Sequence, residues 1–353
     1  MLPISVCIIA KNEENRIEKC LSSLKPYGFE IIVVDTGSTD RTKEIAGKYA
    51  DKVLDFEWCD DFSVARNYSL RAASNNWIFM IDCDEYIKTI DIEELNWFRK
   101  HLANSVGSVS RENIVTENGI PVINNTDNTE RFFDRRLYRY TGMIHEQLTP
   151  IRSKDFTAYL LKTTILHTGY DMGNEECIAK YERNLTLLKK QLATDSDNPY
   201  LYYQLGKTCE IVGDYSRACD YYSKGLSYDL DPELAYVQAM VVSYGNALLL
   251  TGQHETALGF ESIYDAFSPS ADFVYLMGNI YKQNQMYEQA LEQYQKAIGI
   301  PLCKQNGANS FLPIFRTGEI CEILGDVSTA IACYSQCGDF TPAKERLKAL
   351  SGQ

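Results

Sequence analysis

The stretch that decides the fold is ISVCIIAKNEENRIEKCLSSLKPYGFEIIVVDTGSTD, residues 4–40. Its runs at 4–10 and 30–35 are continuously apolar and rich in β-branched residues, which is typical of strands buried on both faces. Between them, apolar residues recur at helical spacing from Ile17 to Leu24. A strand, a helix and a strand of this length predict a βαβ unit and therefore a parallel sheet.

The same alternation continues along the chain. Residues 38–50 predict a second helix, and strands are expected at 52–56 and 77–84. Asn12 would cap the first helix, and Ser38 or the threonine after it would cap the second. We therefore expect an α/β domain with a mostly parallel sheet and helices on both of its faces.

From about residue 173 the pattern becomes helical and repetitive. Residues 202–232 fit the tetratricopeptide pattern, and Glu261 marks the weakest repeat because an aromatic residue is usual there. The repeats predict an α/β domain at 1–172 and an all-α repeat domain at 173–353, with an ordinary helical bundle as the alternative. Small residues recur in the predicted helix pairs at Gly206, Gly245, Gly278 and Gly318, and at Ala218, Ala257, Ala290 and Ala330.

Stacked repeats of this kind present a concave surface to a partner. They predict docking of a peptide or protein, or formation of a homodimer through the repeats. Tyrosines could line the groove, although at these positions they more often pack between helices: Tyr202, Tyr203, Tyr221 and Tyr222.

The composition excludes several kinds of partner. The 353 residues are 45% hydrophobic and carry a net charge of −13, which argues against nucleic acid and against a polybasic membrane anchor. A local basic groove at 131–139 is still compatible with this charge. No apolar run is long enough to span a membrane, and the N-terminus lacks the features of a signal peptide. The eleven scattered cysteines form no C-x-x-C pair, so we expect reduced thiols and a cytoplasmic protein.

Polar side chains follow the predicted strands at the points where those strands end. Lys11–Glu13 follows the first strand, Asp35 the second, and Asp82, Asp84 and Glu85 the fourth. Because ligands bind beyond the carboxyl ends of parallel strands, these clusters predict one binding site.

The acidic cluster in MIDCDEYI, residues 80–87, favours a hard cation. Asp82 and Asp84 on an extended segment would point to the same side and share Mg²⁺ or Mn²⁺ with water and a substrate phosphate. Three desolvated acids without a partner are unfavourable by roughly several kcal/mol. For Glu85 alone, a solvated acidic turn is the alternative.

The expected phosphate belongs to a nucleotide. The sequence has neither a G-x-x-x-x-G-K-[ST] loop nor a G-x-G-x-x-G after the first strand, so a P-loop or dinucleotide fold is not predicted. Asp35 is followed by Thr-Gly-Ser, which places a carboxylate for a ribose or base donor just before a glycine turn.

Four motifs then point to a family: SVCIIAKNEE, EIIVVDTGSTDRT, DFSVARNYSL and WIFMIDCDEYI. Their residues, order and spacing resemble family 2 glycosyltransferases of the GT-A fold, over residues 1–172. Together with the C-terminal tetratricopeptide repeats, the chain is similar to bacterial peptide S- and O-glycosyltransferases of the sublancin-modifying kind. Lipooligosaccharide core transferases share the catalytic motifs.

The resemblance implies a nucleotide-sugar donor site. Asp35 would contact the base, and Lys11, Asn12 and Glu13 would line the pocket for the base and ribose. Asp82 would bind the ribose or the metal. Arg66 and Asn67 would lie near the diphosphate or sugar. For Arg66, the alternative is a structural ion pair with Asp60 or Asp61.

The resemblance also implies a divalent metal, Mn²⁺ or Mg²⁺. Asp84 would bind it together with Asp82, and His167, in ILHTGYD at 165–171, would be a further ligand. A hydrogen bond that closes the interdomain turn is the alternative for His167. Cys83 stands where the family often has alanine, and it should point away from the metal.

A further motif, RRLYRYTGMIHEQL at 135–148, matches the family's R-L-[FY]-R and G-x-x-H-E pattern. It implies Glu146 as the general base on the acceptor, with His145 orienting this base or the substrate. The expected activity is an inverting, metal-dependent transfer of a hexose or N-acetylhexosamine, with a UDP-sugar as expected donor and a peptide or protein Ser, Thr or Cys as acceptor.

Two alternatives to this activity remain. One is a glycosyltransferase of cell-surface glycan or lipooligosaccharide core assembly. The other is a non-catalytic tetratricopeptide adaptor, against which the intact acidic residues of the predicted site argue. The sequence identifies neither the sugar nor the acceptor.

Overall fold

A computed structural model describes residues 3–117, 120–152, 157–168, 174–301 and 303–350. Its contacts divide the chain into two compact units, Met1–Gln191 and Leu192–Gln353. The domain boundary predicted between residues 172 and 173 lies outside the described residues. In the structure, the helix Asn174–Leu192 follows this boundary, and all of it except its last residue belongs to the first unit.

The first unit contains a large sheet with helices around it. Its strands are β1 Ile4–Ala10, β2 Glu30–Asp35, β3 Lys52–Asp55, β4 Trp77–Met80, β5 Glu85–Thr89, β6 Val106–Glu117, β7 Ile120–Asp134, β8 Tyr138–Thr141, β9 Gln147–Pro150 and β10 Ala158–His167. Its helices are α1 Ile17–Leu24, α2 Thr42–Ala46, α3 Phe62–Ala72, α4 Ile92–His101 and α5 Asn174–Leu192.

The large sheet has the order β3-β2-β1-β4-β7-β6-β10-β5, while β8 and β9 pair separately. β1 pairs in parallel with β2 and β4, and β2 pairs in parallel with β3. From β4 onward the pairs are antiparallel, except that β6 and β10 are parallel. The predicted α/β fold is confirmed, with a parallel half and a mixed half.

The strands predicted at 4–10 and 30–35 are confirmed residue for residue. Side chains of β1 alternate between the two faces of the sheet. Val6 packs in the same core as Leu21 of α1, whereas Cys7 packs in the core that contains Leu70 of α3. Burial on both faces explains why these strands are apolar without interruption.

The predicted caps of α1 and α2 are wrong. α1 begins only at Ile17, and Asn12 instead has a φ of 54° and accepts a hydrogen bond from the Thr39 amide at 2.8 Å. α2 begins at Thr42, after Arg41. These polar residues bind each other across two neighbouring loops, so they do not start the helices that follow them.

The second unit consists of helices. They are α6 Pro199–Ile211, α7 Tyr215–Leu226, α8 Ala235–Leu250, α9 His254–Ala257, α10 Tyr264–Phe267, α11 Ala271–Gln283, α12 Tyr287–Ile298, α13 Phe311–Ile323, α14 Val327–Ser335 and α15 Thr341–Leu350. Paired helices pack closely at the predicted small residues. A Cβ added to Gly278 would lie 2.4 Å from the Tyr294 ring, and one added to Gly206 would lie 2.2 Å from the Tyr222 ring. Glycine is therefore required where the helices of a pair cross.

The repeat predicted as weakest has an interrupted second helix. A 3₁₀ segment at Leu258–Ile263 separates α9 from α10, and Glu261 lies inside this segment. Gly245 of the same repeat faces Leu276, whereas the glycines of the other repeats face tyrosines. The missing aromatic residue thus coincides with a break in the helix.

Within the described part of the chain, no helix has the length and apolar character needed to cross a membrane. Every cysteine side chain that the structure describes is a free thiol. Tyr222 is completely buried, which favours packing over groove lining for this tyrosine.

Candidate active site

The predicted polar clusters lie at one edge of the sheet. β1 ends at Ala10, whose register partner on the parallel strand β2 is Asp35. On its other side, β1 pairs in parallel with β4, and Cys7 lies opposite Met80. The carboxyl ends of the three strands therefore face the same way, and the residues that follow them are close in space.

Asp35 combines deep burial with an unused oxygen. The residue is 2% exposed, and its Oδ2 accepts hydrogen bonds from the amides of Gly37 at 3.1 Å and Ser38 at 3.0 Å. Its Oδ1 is also buried and accepts no hydrogen bond from the described residues. A buried acceptor without a donor is unfavourable, so Oδ1 is suited to an N–H or O–H of a ligand.

The stretch from Lys11 to Glu13 forms the neighbouring wall. Lys11 is exposed, and the Asn12 amide donates to Ser38 Oγ at 2.9 Å. Burial raises the pKa of the Glu13 carboxyl, and the negative charge of Asp84 adds to this effect. Glu13 therefore lies within electrostatic reach of the acidic cluster.

Two of the three clustered acids bind arginine. Asp82 accepts from Arg66 Nη2 through Oδ1 and from Arg131 Nη2 through Oδ2, both at 2.7 Å. Arg131 Nη2 also donates to Glu85 Oε1 at 2.6 Å. Glu85 is 0% exposed, so the alternative of a solvated turn is wrong for this residue.

These ion pairs decide the protonation of Asp82. Burial alone raises the pKa of its carboxyl, but Arg131 and Arg66 outweigh burial and hold that pKa well below the usual range. For Glu85 the balance is reversed, because burial raises its pKa in spite of Arg131. Asp82 is therefore an ionised carboxylate with each oxygen bound by an arginine, and its contact with the ribose or metal stays a prediction.

The Asp-x-Asp segment is a turn, and the prediction of an extended segment is wrong. β4 ends before it, and Asp82 and Asp84 point to different partners. The Oδ2 of Asp84 lies 3.3 Å from the Nε2 of His167. Cys83 lies between the two aspartates and donates its thiol to the Ile9 carbonyl of β1 at 3.3 Å, so its side chain points into the core.

His167 is oriented by a chain of hydrogen bonds. Its Nδ1 lies 2.8 Å from Asn113 Oδ1, and Asn113 Nδ2 donates to Asp127 Oδ2 at 3.1 Å. Because the Asn113 amide nitrogen faces a carboxylate, its oxygen must accept, and Nδ1 of His167 therefore carries the proton. The remaining nitrogen, Nε2, lies opposite the Asp84 carboxylate, and a divalent ion could be bound by both of these side chains.

The residues present fit a divalent ion at Asp84 and His167. One carboxylate and one imidazole are suitable ligands for Mn²⁺, with further positions filled by water and phosphate oxygens. In the part of the chain that the structure describes, no cluster of three or more His, Cys, Asp or Glu residues could hold a metal on its own. The rest of the ILHTGYD motif, residues 169–171, lies outside the described residues.

Arg66 joins the acidic cluster to the predicted base. Its Nε donates to Glu146 Oε1, while its Nη2 binds Asp82. Its remaining nitrogen, Nη1, is buried and has no hydrogen-bond partner among the described residues. Arg66 does form ion pairs, as the alternative expected, but its partners are Asp82 and Glu146 in place of Asp60 or Asp61.

Asn67 is bound to the backbone of Tyr140 by both ends of its side chain. Its Nδ2 donates to the Tyr140 carbonyl at 2.8 Å, and its Oδ1 accepts from the Tyr140 amide at 3.0 Å. Both ends of the side-chain amide are therefore used to fasten α3 to β8. A contact of Asn67 with the donor stays a prediction.

His145 and Glu146 lie in a loop of unusual backbone geometry. His145 has a φ of 50°, a conformation that residues with side chains seldom adopt. Although the residue stays exposed, the protein atoms around its ring lower the pKa of the imidazole, and Lys180 and Arg183 of α5 act in the same direction. Glu146 raises the same pKa, so the two residues of the motif are electrostatically coupled.

Comparison with known proteins matches a family model to each of the two parts of the chain. Residues 5–161 match the model described as glycosyl transferase family 2, and residues 199–232 and 271–301 match a tetratricopeptide repeat model. The chain carries a family 2 glycosyltransferase domain followed by tetratricopeptide repeats. The predicted family, enzyme class and fold are thereby confirmed.

Relatives of this chain include SunS of Bacillus subtilis, a glycosyltransferase 27% identical over 241 residues, which are 64% of this chain and 54% of SunS. A TPR repeat-containing protein of Synechococcus elongatus is 29% identical over 288 residues, 79% of this chain and 69% of that protein. The lipopolysaccharide core biosynthesis glycosyltransferase LpsC of Rhizobium meliloti is 35% identical over 88 residues, 24% of this chain and 32% of LpsC. The matched segments thus span between 32% and 69% of these relatives' lengths.

The glycosyltransferase domain also contains site residues that the motifs did not indicate. They lie on the long hairpin of β6 and β7 and are Arg111, Asn113, Asp127 and Arg131. A usable signal was present, because Asn118 and Gly119 form the dipeptide typical of a tight hairpin between two β-rich runs. Their partners, however, are distant in sequence, so their roles emerge only from the fold.

Proposed function

We propose that the protein transfers a hexose or N-acetylhexosamine from a nucleotide sugar, with a UDP-sugar as expected donor, to a Ser, Thr or Cys side chain of a peptide or protein. The observation that supports it most is the link through Arg66, which binds Asp82 of the acidic cluster and Glu146 at the same time. This single guanidinium brings the predicted donor site and the predicted base within one side chain of each other.

On the donor side, the chain offers two unused polar groups. Asp35 Oδ1 would accept an N–H of the base, and Arg66 Nη1 would donate to an anionic group of the donor. A divalent ion held by Asp84 and His167 would supply positive charge beside the leaving diphosphate.

On the acceptor side, Glu146 is the proposed general base. Arg66 holds its Oε1, and its Oε2 is free of hydrogen bonds to the described residues. As the acceptor oxygen forms its bond to the anomeric carbon, its proton passes to Glu146. The bond from that carbon to the phosphate oxygen breaks, the electron pair leaves with the diphosphate, and a single displacement inverts the anomeric centre. A Cys acceptor that reacts as thiolate would need this base less.

Replacement of Asp35 by asparagine should weaken donor binding. The amides of Gly37 and Ser38 require an oxygen at the Oδ2 position, so the new NH₂ group would take the place of Oδ1. The new NH₂ group would then face the N–H of the nucleotide base, and neither could accept a hydrogen bond from the other. We expect the affinity for the nucleotide sugar to fall by about 10- to 100-fold, or ~1–3 kcal/mol. Thermal shift with Mn²⁺ across UDP- and GDP-sugars identifies the ligand, and calorimetry on both proteins then measures Kd.

Asp55→Asn is the matched control for this change. Asp55 ends the neighbouring strand β3, is exposed and pairs with Lys43 at the surface. Its replacement should leave the Kd within about twofold of wild type, because exposed ion pairs contribute little. Equal Kd values for wild type and Asp35→Asn would contradict the role of Asp35, and the absence of any nucleotide-sugar shift in wild type would contradict the proposed function.

The acceptor is assigned to peptide because the tetratricopeptide repeats are suited to bind extended protein segments. The relative LpsC favours a second candidate, a core-glycan acceptor. Incubation of the whole protein with a labelled donor and two acceptor pools distinguishes them: Ser-, Thr- and Cys-containing peptides, and lipooligosaccharide core. Label in the peptides is the expected result, whereas label confined to the core would transfer the assignment to the second candidate. Homodimer formation through the repeats stays a prediction.

A further inference from the structure

The loop that carries His145 and Glu146 has little regular structure of its own. Gly142 has a φ of +100° and His145 a φ of 50°, so the chain passes twice through the left-handed region within four residues. A residue with a side chain is held in that region only when the surroundings impose it. The loop therefore depends on contacts outside itself to keep Glu146 in place.

Two such contacts hold the loop from opposite sides. The Phe62 amide at the start of α3 donates to the Met143 carbonyl at 2.8 Å. On the other side, Gln191 Oε1 accepts from the Met143 amide at 2.9 Å and from the Ile144 amide at 3.4 Å. A Cβ added to Gly142 would lie 3.5 Å from Gln191 Nε2, so the whole side chain of Gln191 lies along the loop.

Gln191 is itself fixed by its helix. Leu187 and Leu188, one turn earlier in α5, are buried at 3% and 0% exposure. Lys190 pairs with Asp60 at 3.3 Å, just before α3. That pair is exposed and contributes little, whereas the Arg183 guanidinium of the same helix lies 5.3 Å from the centre of the Phe62 ring at the start of α3. Apart from the Lys190 pair, α5 thus has buried leucines and a contact with α3, and it presents Gln191 to the loop at a defined position.

We propose that Gln191 is a positioning residue of the reaction. By accepting the Met143 and Ile144 amides, it holds the loop in the conformation that directs Glu146 toward Arg66 and the acceptor. Its effect on turnover is exerted through Glu146, and the inference therefore rests on the proposed function of Glu146 as base. Gln191 lies far from every sequence motif of the site, and nothing in the motifs predicts it.

The test compares Gln191→Leu with Gln191→Glu in the full chain. Leucine has a similar size but accepts no hydrogen bond, whereas glutamate retains an oxygen at the same position. For Gln191→Leu we expect faster hydrogen exchange at the Met143 and Ile144 amides and a fall of about 10- to 100-fold in kcat on a hydroxyl acceptor, with unchanged donor Kd. In Gln191→Glu, both the exchange at these amides and kcat should stay close to wild type. Lys190→Leu, on the adjacent residue, is the control and should leave kcat within about twofold of wild type.

A double-mutant cycle separates positioning from a general structural effect. In a Glu146→Gln background, Gln191→Leu should cause no further loss of kcat, since the group that it positions is already absent. Additive losses would overturn the proposal, as would wild-type exchange at Met143 and Ile144 or wild-type kcat in Gln191→Leu. If Glu146→Gln alone left hydroxyl transfer intact, the base assignment would fail, while the exchange data would still report on the Gln191 hydrogen bonds.

Discussion

Replacement of Asp84 by asparagine should reduce kcat by about 10³-fold, which corresponds to ~4 kcal/mol of lost transition-state stabilisation. Asparagine preserves the shape of the side chain but removes its negative charge. Asp82 pairs with arginine, whereas Asp84 faces His167. Negative charge develops on the diphosphate as it leaves, and the site would lose the carboxylate proposed to hold the opposing cation. Release of nucleoside diphosphate during transfer measures kcat.

Two further measurements make this expectation specific. The affinity of the free protein for Mn²⁺ should fall in Asp84→Asn, and it should be unchanged in Asp55→Asn, which carries the same substitution at an exposed carboxylate of the same sheet edge. The part of the affinity for the nucleotide sugar that depends on Asp35 should persist when no metal is present. An Asp84→Asn protein that keeps more than about a tenth of wild-type kcat would contradict the proposed metal site.

Replacement of Arg131 by methionine should destabilise the fold by about 3–5 kcal/mol. Arg131 is 5% exposed and its Nη2 is shared by Asp82 and Glu85. Without it, Glu85 is a fully buried carboxylate that loses its closest cation, and Asp82 keeps only Arg66. Urea unfolding followed by circular dichroism measures the loss, provided that the slope of free energy against urea stays the same.

The pH dependence of this loss has a defined sign. Burial already raises the pKa of Glu85, so the folded chain binds this proton more tightly than the unfolded chain, and the corresponding stability is lost as pH rises through the folded pKa. Removal of Arg131 raises that pKa further, and Arg131→Met should therefore be more destabilised at about pH 8 than at about pH 5.

Arg41→Met is the control for Arg131→Met, because Arg41 forms an exposed ion pair with Glu44. It should change the free energy of unfolding by no more than about 1 kcal/mol. An Arg131→Met protein as stable as this control would show that the buried ion pairs contribute nothing net to the fold.

The parallel half of the sheet could be predicted from local sequence, whereas the mixed half could not. β1 and β2 are buried on both faces, so their identity and limits are visible in a continuous apolar run. β6, β7 and β10 carry polar residues that face the site, and their partners lie far along the chain. No local pattern reports which distant strand a strand will join.

The acidic cluster shows the same division at the level of the site. Its position and its need for positive charge were predicted from MIDCDEYI, but a carboxylate can be satisfied by a metal or by a guanidinium. The fold supplies Arg66 and Arg131 to Asp82 and leaves Asp84 facing His167. Composition alone cannot assign cations to acids that are two residues apart, since the choice depends on long-range placement.

The position of Gln191 also has a practical consequence for the design of truncated proteins. A polypeptide cut after residue 172, where the motifs of the first domain end, would lack α5. The amides of Met143 and Ile144 would then donate to water in place of the Gln191 side-chain oxygen. For this reason, an expressed fragment intended to retain activity has to extend at least through Gln191, and truncations that stop earlier would report on a damaged loop and not on the loss of the repeats.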